Sequence, residues 1–268
     1  MKNLLFFALA LPLLISTCGK PTQKEAEPLP GSVIVREKYR SGGIKSESTV
    51  INDKKQGISK NYDLQGRLIS EVNYVDDVKE GMATNYYAAS GKIYSTMIYK
   101  NDIKEGDEIW YYESGKPYRV SPYVQGKIEG IQKYYYENGE TKAEVPYKNG
   151  SPGIGTKEYN KDGSLVTDYP EIKIIKQDHL QAANKILLLI SLSSVVSEVK
   201  FYRGDLLDNQ YINDDMLQLA TQNATTQIDF TVSPGSKISQ HVVISAKHKT
   251  RMGNHRVISK TYHLQAQN

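Results

Sequence analysis

Between residues 31 and 169, apolar and polar positions alternate in short runs closed by glycine, asparagine or aspartate. Alternation with a period of two predicts strands, and the closing residues predict tight turns. The stretch "KYYYENGETKAEVPYKNG" (133–150) shows the pattern at its clearest. After Gly130, Ile131, Lys133 and Tyr135 share one face, and Gln132, Tyr134 and Tyr136 share the other. "ENGE" (137–140) is an asparagine-glycine turn, where glycine tolerates a positive φ. The return strand then places Thr141, Ala143, Val145 and Tyr147 on one face.

This hairpin is one of a series. Gly66, Gly91, Gly115, Gly139 and Gly163 follow one another at intervals of 25, 24, 24 and 24 residues. A tyrosine stands four positions before each: Tyr62, Tyr87, Tyr111, Tyr135 and Tyr159. Another stands eight positions after the first four: Tyr74, Tyr99, Tyr123 and Tyr147. A second series, Gly57, Gly81, Gly106, Gly130 and Gly155, runs in parallel, often after Glu as in "KEG". A fixed period of this length identifies a repeat architecture. A lone hairpin is barely stable in water, so neighbouring hairpins are expected to pair into one continuous sheet.

The pattern G-x4-Y-Y-x2-x-G-x7-Y-x5-E-G resembles the MORN repeat, in the variant common in bacterial secreted proteins and lipoproteins. A degenerate first copy lies around Tyr39 and Gly43. The resemblance covers about half of the chain. It implies an elongated, single-layer antiparallel ribbon of hairpins that serves protein or membrane association, and it brings no catalytic residue. Some members of that group are described as toxin–antitoxin components, so the resemblance also implies an antitoxin-like inhibitor of a cognate toxin as the alternative function.

After "TDYP" (167–170) the period stops, and Leu, Ile and Val replace tyrosine. "EIKII" (171–175), "KILLLISLS" (185–193), "EVKFYRG" (198–204), "TQIDFTV" (226–232), "QHVVISAKHK" (240–249) and "HRVISKTYHL" (255–264) read as strands. "INDDMLQLATQ" (212–222) fits a helical turn or two. Six or seven short strands in about 100 residues predict an immunoglobulin-like β-sandwich over 170–268. The fold expected is therefore all-β: a hairpin ribbon over 31–169, then the sandwich.

The leader changes the picture of where the protein works. In "MKNLLFFALALPLLISTCGK", Lys2 precedes an apolar run, Leu4 to Ile15, too short to span a bilayer as a helix. Small residues end the run directly before Cys18, the only cysteine in the chain. This resembles a lipoprotein signal: residues 1–17 removed, Cys18 lipidated, and residues 18–30 a proline-rich tether. Acyl chains contribute about 0.8 kcal/mol per buried methylene, so such an anchor is effectively permanent. The tether, at about 3.3 Å per residue, would hold the folded part up to roughly 40 Å from the bilayer. A bacterial cell envelope location, at the outer membrane, is the expectation.

Charge and candidate chemistry narrow the function. The formal net charge is +4, with Lys and Arg interleaved with Asp and Glu, which does not point to nucleic acid. "GSPGIGTK" (150–157) inverts the Lys-Ser/Thr order of a phosphate-binding loop and reads as an ordinary loop. All five histidines lie after residue 178. His248 with His255, or His241 with His263, would meet across a hairpin, but the sums 503 and 504 do not fit one register. Two imidazoles without cysteine fall short of a closed zinc site. "DD" at 76–77 and 214–215 read as solvated turns. No nucleophile elbow or zincin motif is present. The expectation is a non-enzymatic protein with no cofactor and no metal.

Seventeen of the 20 tyrosines lie within 31–169. Tyr62, Tyr111, Tyr135 and the return-strand tyrosines suffice to cover a sheet. Tyr87, Tyr112, Tyr134 and Tyr136 then stand as a candidate binding face, for a protein partner in the envelope or, by ring stacking, a glycan.

Overall fold

The computed structural model describes residues 30–196 and 198–268. The leader, Cys18 and the tether up to residue 29 lie outside the described residues. The ribbon opens with β1 (Val33–Lys38) and β2 (Ile44–Ile51), then the two-residue β3 (Lys54–Lys55), then β4 (Gly57–Tyr62) and β5 (Leu68–Val75). The next hairpins are β6 (Val78–Tyr86) with β7 (Ile93–Lys100), and β8 (Ile103–Lys104) leading into β9 (Gly106–Tyr111) and β10 (Pro117–Val124). A last full copy comprises β11 (Lys127–Ile128), β12 (Gly130–Tyr135) and β13 (Thr141–Lys148), before the short β14 (Ser151–Pro152) and β15 (Lys157–Glu158). All pair antiparallel in one open sheet with the path β1-β2-β4-β5-β6-β7-β9-β10-β12-β13-β14.

Each copy uses two kinds of turn. At "ENGE", Tyr136 N–H donates to the Glu140 carbonyl and Gly139 N–H to that of Tyr136. The loop is thus three residues, Glu137 to Gly139, and only Gly139 has a positive φ, 97°. That is a type I turn finished by a left-handed glycine, one of the favoured hairpin closures. The other end of each hairpin carries true two-residue type I′ turns: Asp76-Asp77 and Asn101-Asp102 are positive at both positions. Asp and Asn tolerate this conformation because their side chains satisfy nearby backbone groups. The first glycine series, Gly66, Gly91, Gly115, Gly139 and Gly163, has φ between 67° and 97°.

The 25-residue interval has a local cause. Tyr86, not Tyr87, is the strand-end equivalent of Tyr62, Tyr111 and Tyr135, because Tyr86 faces Ile93 as Tyr111 faces Pro117. The extra residue lies in the loop closed by Tyr87 N–H and the Lys92 carbonyl.

The second half forms two sheets. One is β16 (Ile172–His179), β17 (Lys185–Leu192) and β20 (Thr225–Thr231), in the order β16-β17-β20. The other contains β18 (Val199–Arg203), β19 (Leu217–Leu219), β21 (Lys237–Lys249) and β22 (His255–Gln267), in the order β19-β18-β21-β22. They enclose one core that includes Leu188, Ile190 and Phe230 from the first and Phe201, Ile244 and Leu264 from the second. A single turn of helix, α1 (Leu180–Ala183), joins β16 to β17. The segment 212–222 holds the strand β19 after a turn at Asn213–Asp215, in place of helical turns.

The halves are fastened at 153–169. Gly153 bridges to Tyr211 and Ile154 to Val257. A Cβ at Gly153 would stand 2.6 Å from the Tyr211 ring, so glycine alone permits that approach. Glu158, 1% exposed, accepts from Thr250 Oγ1 at 2.6 Å, from Asn254 Nδ2, and from the Tyr169 hydroxyl at 3.0 Å. Arg256 stacks on the Tyr169 ring at 3.7 Å and donates to the Thr156 carbonyl. The stretch 150–157 is therefore a junction between the halves.

Candidate functional site

The cross-strand register settles which side chains share a face. Ser59 faces Val72, Val72 faces Ala83, and Ala83 faces Met97. Ser95 faces Trp110, Trp110 faces Arg119, and Arg119 faces Tyr134. On this side Tyr74, Tyr99, Tyr123 and Tyr147 each lie opposite a glycine: Gly57, Gly81, Gly106 and Gly130. Each of these glycines has a positive φ, between 70° and 103°, a backbone conformation that residues with a side chain rarely hold. Beneath these rings Ser59, Ser95, Glu108, Ser121 and Gln132 are buried although the sheet has one layer. Burial pushes the Tyr147 phenol up to about 12.

This tyrosine face also explains "KEG". The lysine ammonium lies over the ring of its own copy, Lys55 on Tyr74, Lys79 on Tyr99 and Lys104 on Tyr123, at 4.8 to 5.2 Å. The glutamate reaches forward to the next turn: Glu80 accepts from Asn101 N–H, Glu105 from Gln125 N–H and Glu129 from Asn149 N–H. The glycine supplies the positive φ. Sequence reasoning saw the Glu-Gly period but not this division of labour, which depends on knowing the register.

Of the four candidate tyrosines, three hold adjacent copies together. Tyr87 donates its hydroxyl to the Tyr111 carbonyl at 2.7 Å, Tyr112 to Tyr135 at 2.8 Å and Tyr136 to Tyr159 at 2.8 Å. Tyr39 does the same with Tyr62. Position 63, where the series calls for another, is Asp63, which binds Arg67 in its own turn instead. Tyr134 sits on the tyrosine face, bonded to Gln132 and edge-on to Tyr118. Tyr87 and Tyr112 make similar edge contacts with Tyr94 and Tyr118. All four are half-buried. They therefore have structural tasks that the pattern alone did not reveal.

The proposed covering set also divides. Tyr111 shares the opposite face with Thr96, at 3.3 Å, and so does not lie with the return-strand tyrosines. A one-residue offset between strands places every side chain on the other face.

That opposite face carries a feature that the repeat pattern alone does not show. Met82 faces Ile98, Asp107 faces Pro122, and Ile131 faces Pro146. On the same face, towards β1, Ile34 faces Thr49, and Ile58 faces Asn73. These form one row across the ribbon, in which Ile34, Ile58, Met82, Ile98 and Ile131 are 45 to 61% exposed. At about 4.8 Å per strand the row from β1 to β12 is roughly 40 Å long. The signal was available: an aliphatic directly follows the second-series glycine in three copies, as Ile58, Met82 and Ile131.

Residues 104–125 and 128–149 match the family model of the MORN repeat variant. Those two spans are MORN-variant repeats. They coincide with the copies that carry the lysine-over-tyrosine contact at Lys104 and the hydroxyl ties of Tyr112 and Tyr136. No curated protein matches the chain.

The histidines resolve into one register. His241 faces His263, with rings stacked at 4.5 Å, while His248 faces Arg256 and Lys249 faces His255. His248 is fully buried and His255 half-buried, and burial holds both imidazoles below their ordinary value. Among the described residues no three histidine or carboxylate groups gather as a metal site. Asp76 and Asp77 bind Gln56 Nε2 and Lys55 N–H, so they are turn residues that also tie neighbouring copies.

Proposed function

We propose that this is a non-enzymatic, lipid-anchored envelope protein whose MORN-type ribbon docks a protein partner on its aliphatic face. The observation that carries the reading is the row Ile34, Ile58, Met82, Ile98 and Ile131, exposed on a sheet whose other face is already roofed by tyrosine. The row is interrupted by Thr49, Asn73 and Asp107, but so many large apolar side chains exposed along one line of a folded domain favour a contact site. The tyrosines favour a protein partner over a glycan, because Tyr87, Tyr112 and Tyr136 have their hydroxyls engaged and their rings half-covered.

The anchor is Cys18, and the outer membrane is its site, on the strength of the leader sequence. The second half is an immunoglobulin-like sandwich: the orders β16-β17-β20 and β19-β18-β21-β22 around one core support that reading. It is joined to one end of the ribbon through Glu158 and Arg256.

The test is capture of an envelope partner by the full chain, by chemical crosslinking in membranes. Met82→Ser, Ile98→Ser and Ile131→Ser combined should abolish the crosslinked species while the melting temperature holds. Undiminished crosslinking would overturn the assignment of the face. Separately, Cys18→Ala should release the protein from the membrane fraction, and a variant that stays bound through washing would overturn the anchor.

A further inference from the structure

The two ends of the ribbon differ. At the far end the outer side of β13 is occupied by β14 and β15, and the sandwich closes over them. At the near end, among the described residues, β1 pairs with β2 alone. All six residues of β1, Val-Ile-Val-Arg-Glu-Lys, are exposed, including Val33 at 59% and Val35 at 46%. Its outer row of N–H and C=O groups is a template for another strand. Proteins usually guard such an edge with a charge or a bulge. Here the charges and the one register shift fall at the end of the strand, Arg36 to Lys38, and leave Val33 to Val35 open.

We propose that two copies of this protein associate through antiparallel pairing of β1 with β1, centred on Ile34. A head-to-tail joint needs a free strand at the far end of the ribbon, and that end is closed. A two-fold joint uses the same edge twice and closes on itself. With Ile34 opposite Ile34, each Val33 meets the other copy's Val35, so three aliphatic side chains on each strand pair with three. Cross-strand pairs of β-branched residues are favourable ones. The register has a second consequence. Ile34 heads the aliphatic row, so a two-fold axis there joins the rows of both copies end to end on one face of a continuous sheet.

The test is sedimentation equilibrium of the full chain in density-matched detergent over a rising series of concentrations. The mass should approach twice that of one mature chain. Ile34→Lys should raise the dimer dissociation constant by at least about tenfold, by placing like charges opposite each other on the axis. At a concentration low enough for both to be monomeric, its circular dichroism melt should match the parent, since Ile34 is exposed, and Met82→Lys should leave the dimer intact. A synthetic peptide of residues 31–38 should compete the dimer apart, and a scrambled one should not. A chain monomeric at every concentration, a dimer indifferent to Ile34→Lys, or equal competition by the scrambled peptide would each overturn the proposal.

Discussion

At the centre of the ribbon the covered side chains are Ser59, Ser95 and Ser121; at the same depth in the sandwich stand Leu188, Ile244 and Phe201. Both halves are antiparallel β, but they solve burial differently. The sandwich removes apolar surface from water between two sheets, worth about 25 cal/mol for each Å². The ribbon has one layer, so its rings lie across its own face, and each copy is tied to the next by hydroxyls and carboxylates. A ring with a polar tip suits that task, because it covers the sheet and still finds a hydrogen-bond partner. Phenylalanine would cover as well but could not tie.

The difference predicts what breaks each half. The largest effect should come from the sandwich core. Leu188→Ala should cost about 2 to 5 kcal/mol through lost burial and the cavity left behind. The loss should appear in the histidine proton resonances, all of which belong to the second half. Trp110, the only tryptophan, reports the ribbon by its fluorescence. In the ribbon the comparable weak point is backbone geometry. Gly139→Val should cost about 1 to 3 kcal/mol, since a β-branched residue is strained at a φ of 97°. Differential melting of that variant, followed at Trp110, is the check.

Titration should separate the halves in opposite directions. Burial lowers the folded-state values of His248 and His255 below 6.5. The unfolded chain then takes up protons first as pH falls, so sandwich stability is full above about 6.5 and declines below it. Burial raises Tyr123, Tyr134 and Tyr147 above 10. Ribbon stability is full below about 10 and is lost as pH rises through the folded values. Melting at pH 5 should therefore depress the histidine transition more than the Trp110 transition, and melting near pH 11 should reverse the order.

The ribbon was the more legible half, because its period is written in glycine and tyrosine and each interval fixes a turn. Most strands of the second half were also readable from alternation, but β19 lies in a stretch that reads as helical turns. The sheet orders were not readable, since no local pattern says that β18 lies between β19 and β21. The faces of the ribbon were harder still. Tyr87, Tyr112 and Tyr136 looked surplus because their partners are backbone carbonyls 23 or 24 residues away, and every residue has a carbonyl. The exposed row was overlooked because single aliphatics such as Ile58 and Met82 become a surface only when the register aligns them. Junction residues such as Glu158 and Asn254, 96 positions apart, carry no local signal at all.

The claim that tyrosine hydroxyls hold the ribbon is tested most directly by removing them and nothing else. Tyr87→Phe, Tyr112→Phe and Tyr136→Phe together keep every ring and delete three inter-repeat hydrogen bonds, each worth about 0.5 to 1.5 kcal/mol. In equilibrium unfolding by urea, the Trp110 transition should move to lower denaturant and fall below the histidine transition of the sandwich. A Trp110 midpoint equal to that of the parent protein would contradict the account.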